Sequence, residues 1–355
     1  MSDIILHKKR NHTADLLKGL AVIFMVQVHL MELFARQDIY DSLPGKISLF
    51  LGGPLCAPVF LAVMGYFLAS SQKKLSYYFK RGFILFLTGM LLNIGRTINL
   101  FHYIYSGQSN VDPLFYVFGV DILLLAGLSI IIIGLLQLIF HRNYFFYFLI
   151  AIIIASVTPF LPVFASGQTG LSYCNAFLWG IFDWSYFPLF PWFSYVLTGY
   201  AFFLFSEKIH LPTKIKPGIK LALILPSVII SIFTITYASK ITHALNGADG
   251  YYHHGILFFA WMLMFMSGYI LTASFIEDYT GRLSLVRLVK WIGKNVTAFY
   301  VFQWLIIGNI ATDIYKTLDG IYLILWFFGV MIVSCGLTFF WEKLRCVCVH
   351  RKEKK

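Results

Sequence analysis

The segment GLAVIFMVQVHLME, residues 19–32, is an apolar run interrupted by three polar side chains, Gln27, His29 and Glu32. It forms most of a longer run, 16–35, which as a helix can cross about 30 Å of hydrocarbon. Polar and ionisable residues are costly inside such a helix and usually face a partner or a water-filled cavity. The segment therefore predicts a membrane-spanning helix that carries a polar site.

The composition of the whole chain supports this interpretation. Of the 355 residues, 59% are hydrophobic and only 12% are charged, whereas soluble domains carry about a quarter charged residues. Apolar runs of membrane-spanning length recur at 16–35, 49–70, 82–104, 114–139, 144–164, 187–206, 221–238, 256–275, 296–312 and 321–342. We therefore predict an all-α, polytopic membrane protein with about ten transmembrane helices in a single domain, residues 1–355.

The basic residues are distributed unevenly between the predicted loops. The formal net charge is +12, and 23 of the 28 Lys and Arg residues fall on one side when alternate loops are assigned to alternate sides. Cytoplasmic loops carry this excess in membrane proteins, so both termini are predicted to be cytoplasmic, with basic tails at 1–15 and 343–355. The charge therefore reflects membrane topology, and no nucleic-acid partner is expected.

Four ionisable residues fall in the predicted outer half of the membrane: His29, Glu32, Arg96 and Asp121. Glu32 shares a helix face with His29, so it could orient the imidazole or hold its proton. Arg96 and Asp121 lie at similar predicted depth and are placed to pair. A general base, an orienting acid and a cation for an oxyanion suit acyl transfer. The alternatives are a packing histidine with a structural ion pair, or a proton path in a transporter.

Basic side chains also lie at the predicted cytoplasmic ends of several helices. Lys18, Lys80, Arg81, Lys290 and Lys294 are placed to hold a polyphosphate such as the 3′-phospho-ADP part of coenzyme A. The stretch WIGKN, residues 291–295, predicts a polar break before a helix and adds Asn295 to this set. Membrane topology alone is the alternative explanation.

The predicted outer loops, 165–186 and 239–255, combine aromatic rings with polar side chains. Ring faces stack on the C–H groups of a sugar, and polar tips bind its hydroxyl groups. An ordinary interfacial belt of Tyr and Trp is the alternative. The candidate substrate-binding residues are Asp183, Trp184, Tyr251, His253 and His254.

Several blocks of the chain resemble the transmembrane acyltransferases. RNHTADLLKGLAVIFMVQVH (10–29) places Asp15, Gly19 and His29 as in the opening helix of that superfamily. CAPVFLAVMGYFL (56–68) and KRGFILFLTGMLLN (80–93) resemble the second and third helices of its heparan-α-glucosaminide N-acetyltransferase-like branch. FGVDILLLAGLS (118–129), FPLFPWFSYVLTGYAF (187–202) and WIGKNVTAFYVFQW (291–304) are similar to later blocks. Residues 36–48 contain no histidine, so the chain looks like the bacterial type, with His29 as the base.

The resemblance implies a multi-pass acetyltransferase of the bacterial cytoplasmic (inner) membrane. Acetyl-CoA would be the acyl donor on the cytoplasmic side, with no metal, and the acetyl group would pass to a sugar or glycan on the extracytoplasmic side by N- or O-acetylation. The family also allows a homodimer. A proton-coupled transporter or flippase that uses the same intramembrane residues, and a scaffold without catalytic activity, are the competing hypotheses.

Overall fold

The computed structural model describes residues 10–71, 73–162, 170–210, 215–246 and 250–353, with the helix path alone at 235–246 and 348–353. Parts of the predicted basic tails (1–9 and 354–355) and of the predicted outer loops (165–169 and 247–249) lie outside the described residues. The described chain is helical, and its strand-like pairings are two isolated bridges. The predicted all-α class is confirmed.

The helices are α1 (His12–Leu33), α2 (Gln37–Tyr40), α3 (Leu43–Gly52), α4 (Ala57–Ser71), α5 (Leu75–Gly95), α6 (Ile98–Tyr105), α7 (Pro113–Val117), α8 (Ile122–Phe140), α9 (Tyr144–Val157), α10 (Gly170–Leu178), α11 (Leu189–Lys208), α12 (Pro217–Asn246), α13 (Ile256–Thr280), α14 (Ser284–Lys294), α15 (Val296–Ile314) and α16 (Gly320–Glu353). A 3₁₀ turn, Thr158–Phe160, extends α9.

Seven described segments are long and apolar enough to cross a membrane: His12–Leu33, Leu43–Ser71, Ile122–Phe140, Leu189–Lys208, Pro217–Thr234, Ile256–Thr280 and Gly320–Val347. Helices α5 and α6 form an eighth span if they are joined across their 49° bend. The protein is therefore polytopic as predicted, with fewer full-length spans than the ten expected. The other two predicted spans are helical, but Tyr144–Phe160 is short, and α15 is made more polar by Gln303, Asn309 and Asp313.

Helices α1 and α14 cross in close contact because each has a glycine at the crossing. A Cβ atom on Gly293 would overlap the backbone oxygen of Asp15, and one on Gly19 would overlap the backbone oxygen of Val289. Small residues allow such close helix packing in membranes. The crossing places the first turn of α1 beside the last turns of α14.

Helix α1 connects the two ends of the bundle that bear on function. Its first turn and α14 border a cavity lined by basic side chains, which we call the basic end. Its last turn lies near the loops 182–187 and 250–255, which we call the aromatic end, because Glu32 interacts electrostatically with tyrosines of both loops. A helix of 22 residues is about 33 Å long, so the two ends are separated by roughly the thickness of the hydrocarbon layer.

Candidate active site

The three polar residues of the opening segment have different surroundings. Gln27 is satisfied by α3: its amide donates to the backbone oxygens of Phe24 and Ser48, both at 2.9 Å, and accepts from the Ser48 hydroxyl at 2.5 Å. These bonds fasten α1 to α3 and explain Gln27 as a structural residue. His29 and Glu32 make no such bonds to the described residues.

His29 stacks on an indole that also carries an arginine. The centroids of the His29 and Trp304 rings lie 4.1 Å apart with a 34° tilt, and the Arg96 guanidinium lies 4.4 Å from the centroid of the same indole. The imidazole is half-buried, and its Nδ1 has no hydrogen-bond partner among the described residues. Trp304 of α15 therefore brings His29 of α1 and Arg96 together.

Arg96 and Asp121 form the predicted pair. The Arg96 Nη1 lies 2.7 Å from Asp121 Oδ2, and the side chains are 12% and 8% exposed. The other carboxylate oxygen, Oδ1, accepts from the Tyr300 hydroxyl and from the Ile122 backbone N–H, each at 2.6 Å. Three donors thus hold the Asp121 carboxylate, which suits it to position Arg96 rather than to accept a substrate proton.

Local helix geometry explains why these charges meet. Arg96 caps the end of α5 at the bend before α6, and Asp121 caps the start of α8, which packs along α5. A carboxylate at a helix N-terminus bonds a free backbone N–H and is favoured by the helix dipole. The bend is fastened to α15 by Asn309, which accepts from the Asn99 backbone N–H at 3.0 Å and donates to the Gly95 oxygen at 2.8 Å.

Glu32 faces a group of tyrosines and not His29. No hydrogen bond joins Glu32 to His29 in the described residues, so the predicted orienting contact is not present in this structure. Glu32 instead interacts electrostatically with four tyrosines of the aromatic end: Tyr40, Tyr186, Tyr251 and Tyr252. Tyr186 also interacts electrostatically with Arg96, so Glu32 and Arg96 both lie near Tyr186.

The other candidate substrate-binding residues are mostly engaged in packing. Trp184 is 8% exposed and stacks on Phe115 and Phe182, with centroids 4.3 and 4.7 Å away. Its position is set by the bridge between Val120 and Ser185, in which the Val120 N–H donates to the Trp184 oxygen at 2.7 Å. Trp184 therefore does not offer an open ring face to a sugar, whereas Asp183 beside it is exposed.

The two neighbouring histidines are buried in the loop before α13. His254 Nδ1 donates to the Tyr251 backbone oxygen at 2.8 Å, so its Nε2 accepts from the Tyr195 hydroxyl, also at 2.8 Å. Burial lowers the pKa of His254 to about 4, and it lowers the pKa of His253 to about 4 although a backbone hydrogen bond at Ser185 opposes the shift. His254 is thus neutral, and its hydrogen bond with Tyr195 joins the loop to α11.

Tyr251 remains available for a ligand. Its ring packs on Trp192 at a centroid distance of 5.3 Å, and its hydroxyl is buried without a partner among the described residues. A buried hydroxyl without a partner is costly, so the atom is suited to receive a hydrogen bond from something bound beside it.

The basic end contains an open cavity of about 600 Å³. Its lining comes from the start of α1, the turn after α13, and α14: Arg10, His12, Asp15, Gly281, Arg282, Arg287, Lys290, Trp291 and Lys294. On α14, Arg287, Lys290 and Lys294 follow a helical spacing of three and four residues and so share one face. Five permanent cations and one carboxylate make this cavity a site for a polyanion.

Carboxylates orient several of these cations. Asp15 binds Arg10 at 2.5 Å and Lys18 at 2.9 Å. Glu277 binds Lys290 at 2.9 Å. Glu342 of α16 binds Lys294 and the Trp291 indole N–H, both at 2.8 Å.

The sequence-predicted donor residues are only partly brought together. Lys294 lines the cavity, and Lys18 adjoins it through their shared neighbour Asp15. Asn295 forms the predicted polar break between α14 and α15, where its amide donates to the Trp291 oxygen at 3.2 Å. Lys80 and Arg81 are exposed on α5 and do not line the cavity; Arg81 donates to the Tyr77 hydroxyl at 2.6 Å.

A second, water-sized cavity of about 10 Å³ lies along α1 beyond this break. Its lining includes Met25, Val296, Thr297 and Tyr300, so it lies next to the residue that holds Asp121. It is narrow and mainly apolar. The residues between Lys294 and Tyr300 thus separate the basic cavity from the polar cluster around Arg96.

Several residues of the site were not identified from sequence. Tyr300 and Trp304 could be identified from sequence, because they lie four residues apart in the stretch WIGKNVTAFYVFQW (291–304) and therefore share one face of a helix. Arg282 and Arg287 are among the basic residues whose distribution is explained by membrane topology. Glu342 carries no local signal, because only tertiary packing brings it to this position, whereas Tyr186 and Tyr252 lie in the two outer loops whose aromatic rings the sequence predicts to bind a sugar.

The chain matches the family model of the catalytic region of heparan-alpha-glucosaminide N-acetyltransferase over residues 10–230, more than half its length. The matched region contains His29, Glu32, Arg96 and Asp121, whereas α14 and α15 lie outside it. A comparison with curated proteins finds no match.

Proposed function

Because the chain belongs to the heparan-alpha-glucosaminide N-acetyltransferase catalytic family, we propose that it transfers an acetyl group from acetyl-CoA to an amino or hydroxyl group of a sugar or glycan. It is a multi-pass membrane protein of an acetyltransferase family. In our proposal the donor binds at the cytoplasmic face, the acceptor binds at the extracytoplasmic face, and His29 is the general base. A bacterial cytoplasmic membrane and a homodimer remain predictions.

The basic cavity supports the donor part of the proposal. Its cations suit the phosphates of the donor's 3′-phospho-ADP group, and Trp291 offers an aromatic ring to the adenine. Lys290 and Lys294 are held in place by Glu277 and Glu342, so little side-chain freedom is lost on binding.

The thioester must then reach His29 along α1. The rise from Asp15 to His29 is 14 residues, which is about 21 Å of helix. The small, mainly apolar cavity beside Met25 and Tyr300 lies on this proposed route. Its narrowness means that the route must widen when the donor enters.

The chemistry requires one proton to move from acceptor to leaving group. The acceptor nitrogen or oxygen attacks the thioester carbonyl, a C–N or C–O bond forms, and the C–S bond breaks. His29 takes the proton from the acceptor and returns it to the thiolate that leaves. Arg96, held by Asp121, supplies positive charge for the oxyanion that forms.

The aromatic end is the proposed acceptor site. Glu32, Tyr251 and the exposed Asp183 offer oxygens to sugar hydroxyl or amino groups, and the rings of Tyr186 and Tyr252 offer apolar faces. Trp184, His253 and His254 would shape this end from behind. The sugar class is proposed from the family, and its identity is open to measurement.

The single observation that carries the proposal is the half-buried His29, whose Nδ1 has no partner among the described residues and whose ring stacks on the indole that contacts Arg96. We would purify the protein into nanodiscs and measure CoA release from acetyl-CoA with a panel of amino sugars and glycans. His29→Ala should lower turnover by about 10²–10⁴-fold while acetyl-CoA binding persists. His102→Ala, an exposed histidine on α6, is the matched control and should retain turnover. Normal turnover by His29→Ala would refute His29 as the base.

A further inference from the structure

Helix α14 and the turn before it expose leucines at the basic end. Leu283, Leu285 and Leu288 are 58%, 71% and 46% exposed, whereas Val289 and Ile292 of the same helix are buried. Exposed leucines in this number are unfavourable in water but not against lipid. The exposed apolar face of α14 therefore borders the bilayer.

Two arginines of this segment differ from the other cations of the basic cavity. Arg10, Lys290 and Lys294 each have an ion pair with a carboxylate. Arg282 and Arg287 have none in the described part of the chain, and Arg287 donates only to the Ser284 hydroxyl at 3.3 Å. Their guanidinium groups are exposed and free to bind an external anion.

The leucines fix the depth of these arginines. By helical spacing Leu285 and Leu288 lie on one face of α14 and Arg287 lies on the other, with Arg282 in the turn before the helix, so the segment is a basic amphipathic helix. A basic amphipathic helix places its apolar face among acyl chains and its cations at the depth of the lipid phosphates. Guanidinium groups bind phosphate oxygens in pairs of hydrogen bonds.

We propose that Arg282 and Arg287 bind the phosphate of an anionic phospholipid whose acyl chain lies against Leu285 and Leu288. Arg282 and Arg287 also line the basic cavity, so the lipid phosphate would lie at the rim of the proposed donor site, but lipid binding does not depend on acetyl transfer. Since Lys290 and Lys294 lie on the same helix, the bound lipid also holds the wall of the basic cavity in place.

The test compares thermal unfolding of the purified protein in nanodiscs of phosphatidylcholine with and without a fraction of phosphatidylglycerol, in the absence of acetyl-CoA. Wild type should unfold at a higher Tm in the anionic nanodiscs. The double variant Arg282→Gln/Arg287→Gln should lose this rise. The matched control, Lys73→Gln/Lys74→Gln, removes the same charge from exposed residues before α5 and should keep it.

A third variant separates lipid from soluble phosphate. Leu285→Ser/Leu288→Ser should also lose the rise, because the acyl chain is no longer held. An equal loss in the lysine control would reveal a general charge effect and overturn the proposal. A full rise produced by glycerol phosphate alone, or an unchanged rise in the leucine variant, would identify a soluble-anion site and would also overturn it. Because acetyl-CoA is absent, these outcomes are independent of whether the protein is an acetyltransferase.

Discussion

The buried pair of Arg96 and Asp121 allows a structural role to be separated from a chemical one. Asp121→Asn keeps the shape of the side chain, the helix cap on Ile122 and an acceptor for Tyr300, but it removes the negative charge. Arg96, 12% exposed, is then left without a counter-charge. Breaking a buried pair from one side costs about 3–5 kcal/mol, and the contact with the Trp304 indole offsets only part of this.

Replacing both partners should restore stability but not activity. In Arg96→Met/Asp121→Asn no uncompensated charge remains, so most of the lost free energy of unfolding should return. Turnover should stay about 10²–10³-fold below wild type, because the cation for the oxyanion is absent. Denaturant unfolding in mixed micelles and CoA release in nanodiscs measure the two quantities on the wild type, the single variant and the double variant. A double variant that is stable and turns over at the wild-type rate would show that the pair is structural only.

Three further predictions test the packing, the basic cavity and the outer loop. Gly293→Ala should destabilise the protein by about 1–3 kcal/mol and raise the KM for acetyl-CoA, because the added methyl group overlaps the backbone of α1. Gly329→Ala, whose added methyl group meets no atom of the described residues within 4 Å, should be neutral or stabilising in the same unfolding and kinetic assays. Lys294→Gln should weaken acetyl-CoA binding in isothermal titration, and Lys80→Gln, which does not line the cavity, should not; equal effects would argue against the cavity as the donor site. His254 has a pKa of about 4 in the folded state against an ordinary 6.5, so the unfolded state binds a proton first as the pH falls, and the free energy of unfolding should drop by about 3 kcal/mol between pH 6.5 and pH 4. Over this range the free energy of unfolding should depend less on pH in His254→Phe than in wild type. An equal pH dependence in the two proteins would contradict the burial argument.

Sequence patterns predicted the parts of the fold that depend on local chemistry. Apolar runs identified the helices, and similar predicted depths of Arg96 and Asp121 indicated their pairing, although the connection between them is longer than predicted and contains α6 and α7. The polar break at Asn295 was also visible in the WIGKN stretch. Such features depend on neighbours in sequence and on the thickness of a bilayer.

Features that depend on how distant helices pack were not predictable. Glu32 follows His29 at a spacing that allows contact, but the packing of α1 on α15 turns the imidazole to Trp304 instead. Lys80 has the right charge at the predicted cytoplasmic end, yet it lies on a helix that does not reach the basic cavity. Trp184 looks like a sugar platform in sequence, but two phenylalanines cover it in the structure.

The candidate site also shows why the family-matched region is insufficient on its own. Residues 10–230 supply His29, Arg96 and Asp121, but the groups that place them come from α15: Trp304 contacts the imidazole and the guanidinium, and Tyr300 binds the carboxylate. Helix α15 is held in turn by its polar contacts with the bend between α5 and α6. Asn309 makes those contacts, and Asp313 accepts from the Asn99 amide and the Tyr103 hydroxyl, which explains two of the polar residues that make α15 a poor hydrophobic span. The polarity of this helix is therefore the physical requirement for assembling the site, and a more apolar α15 would insert more readily while losing the geometry around His29.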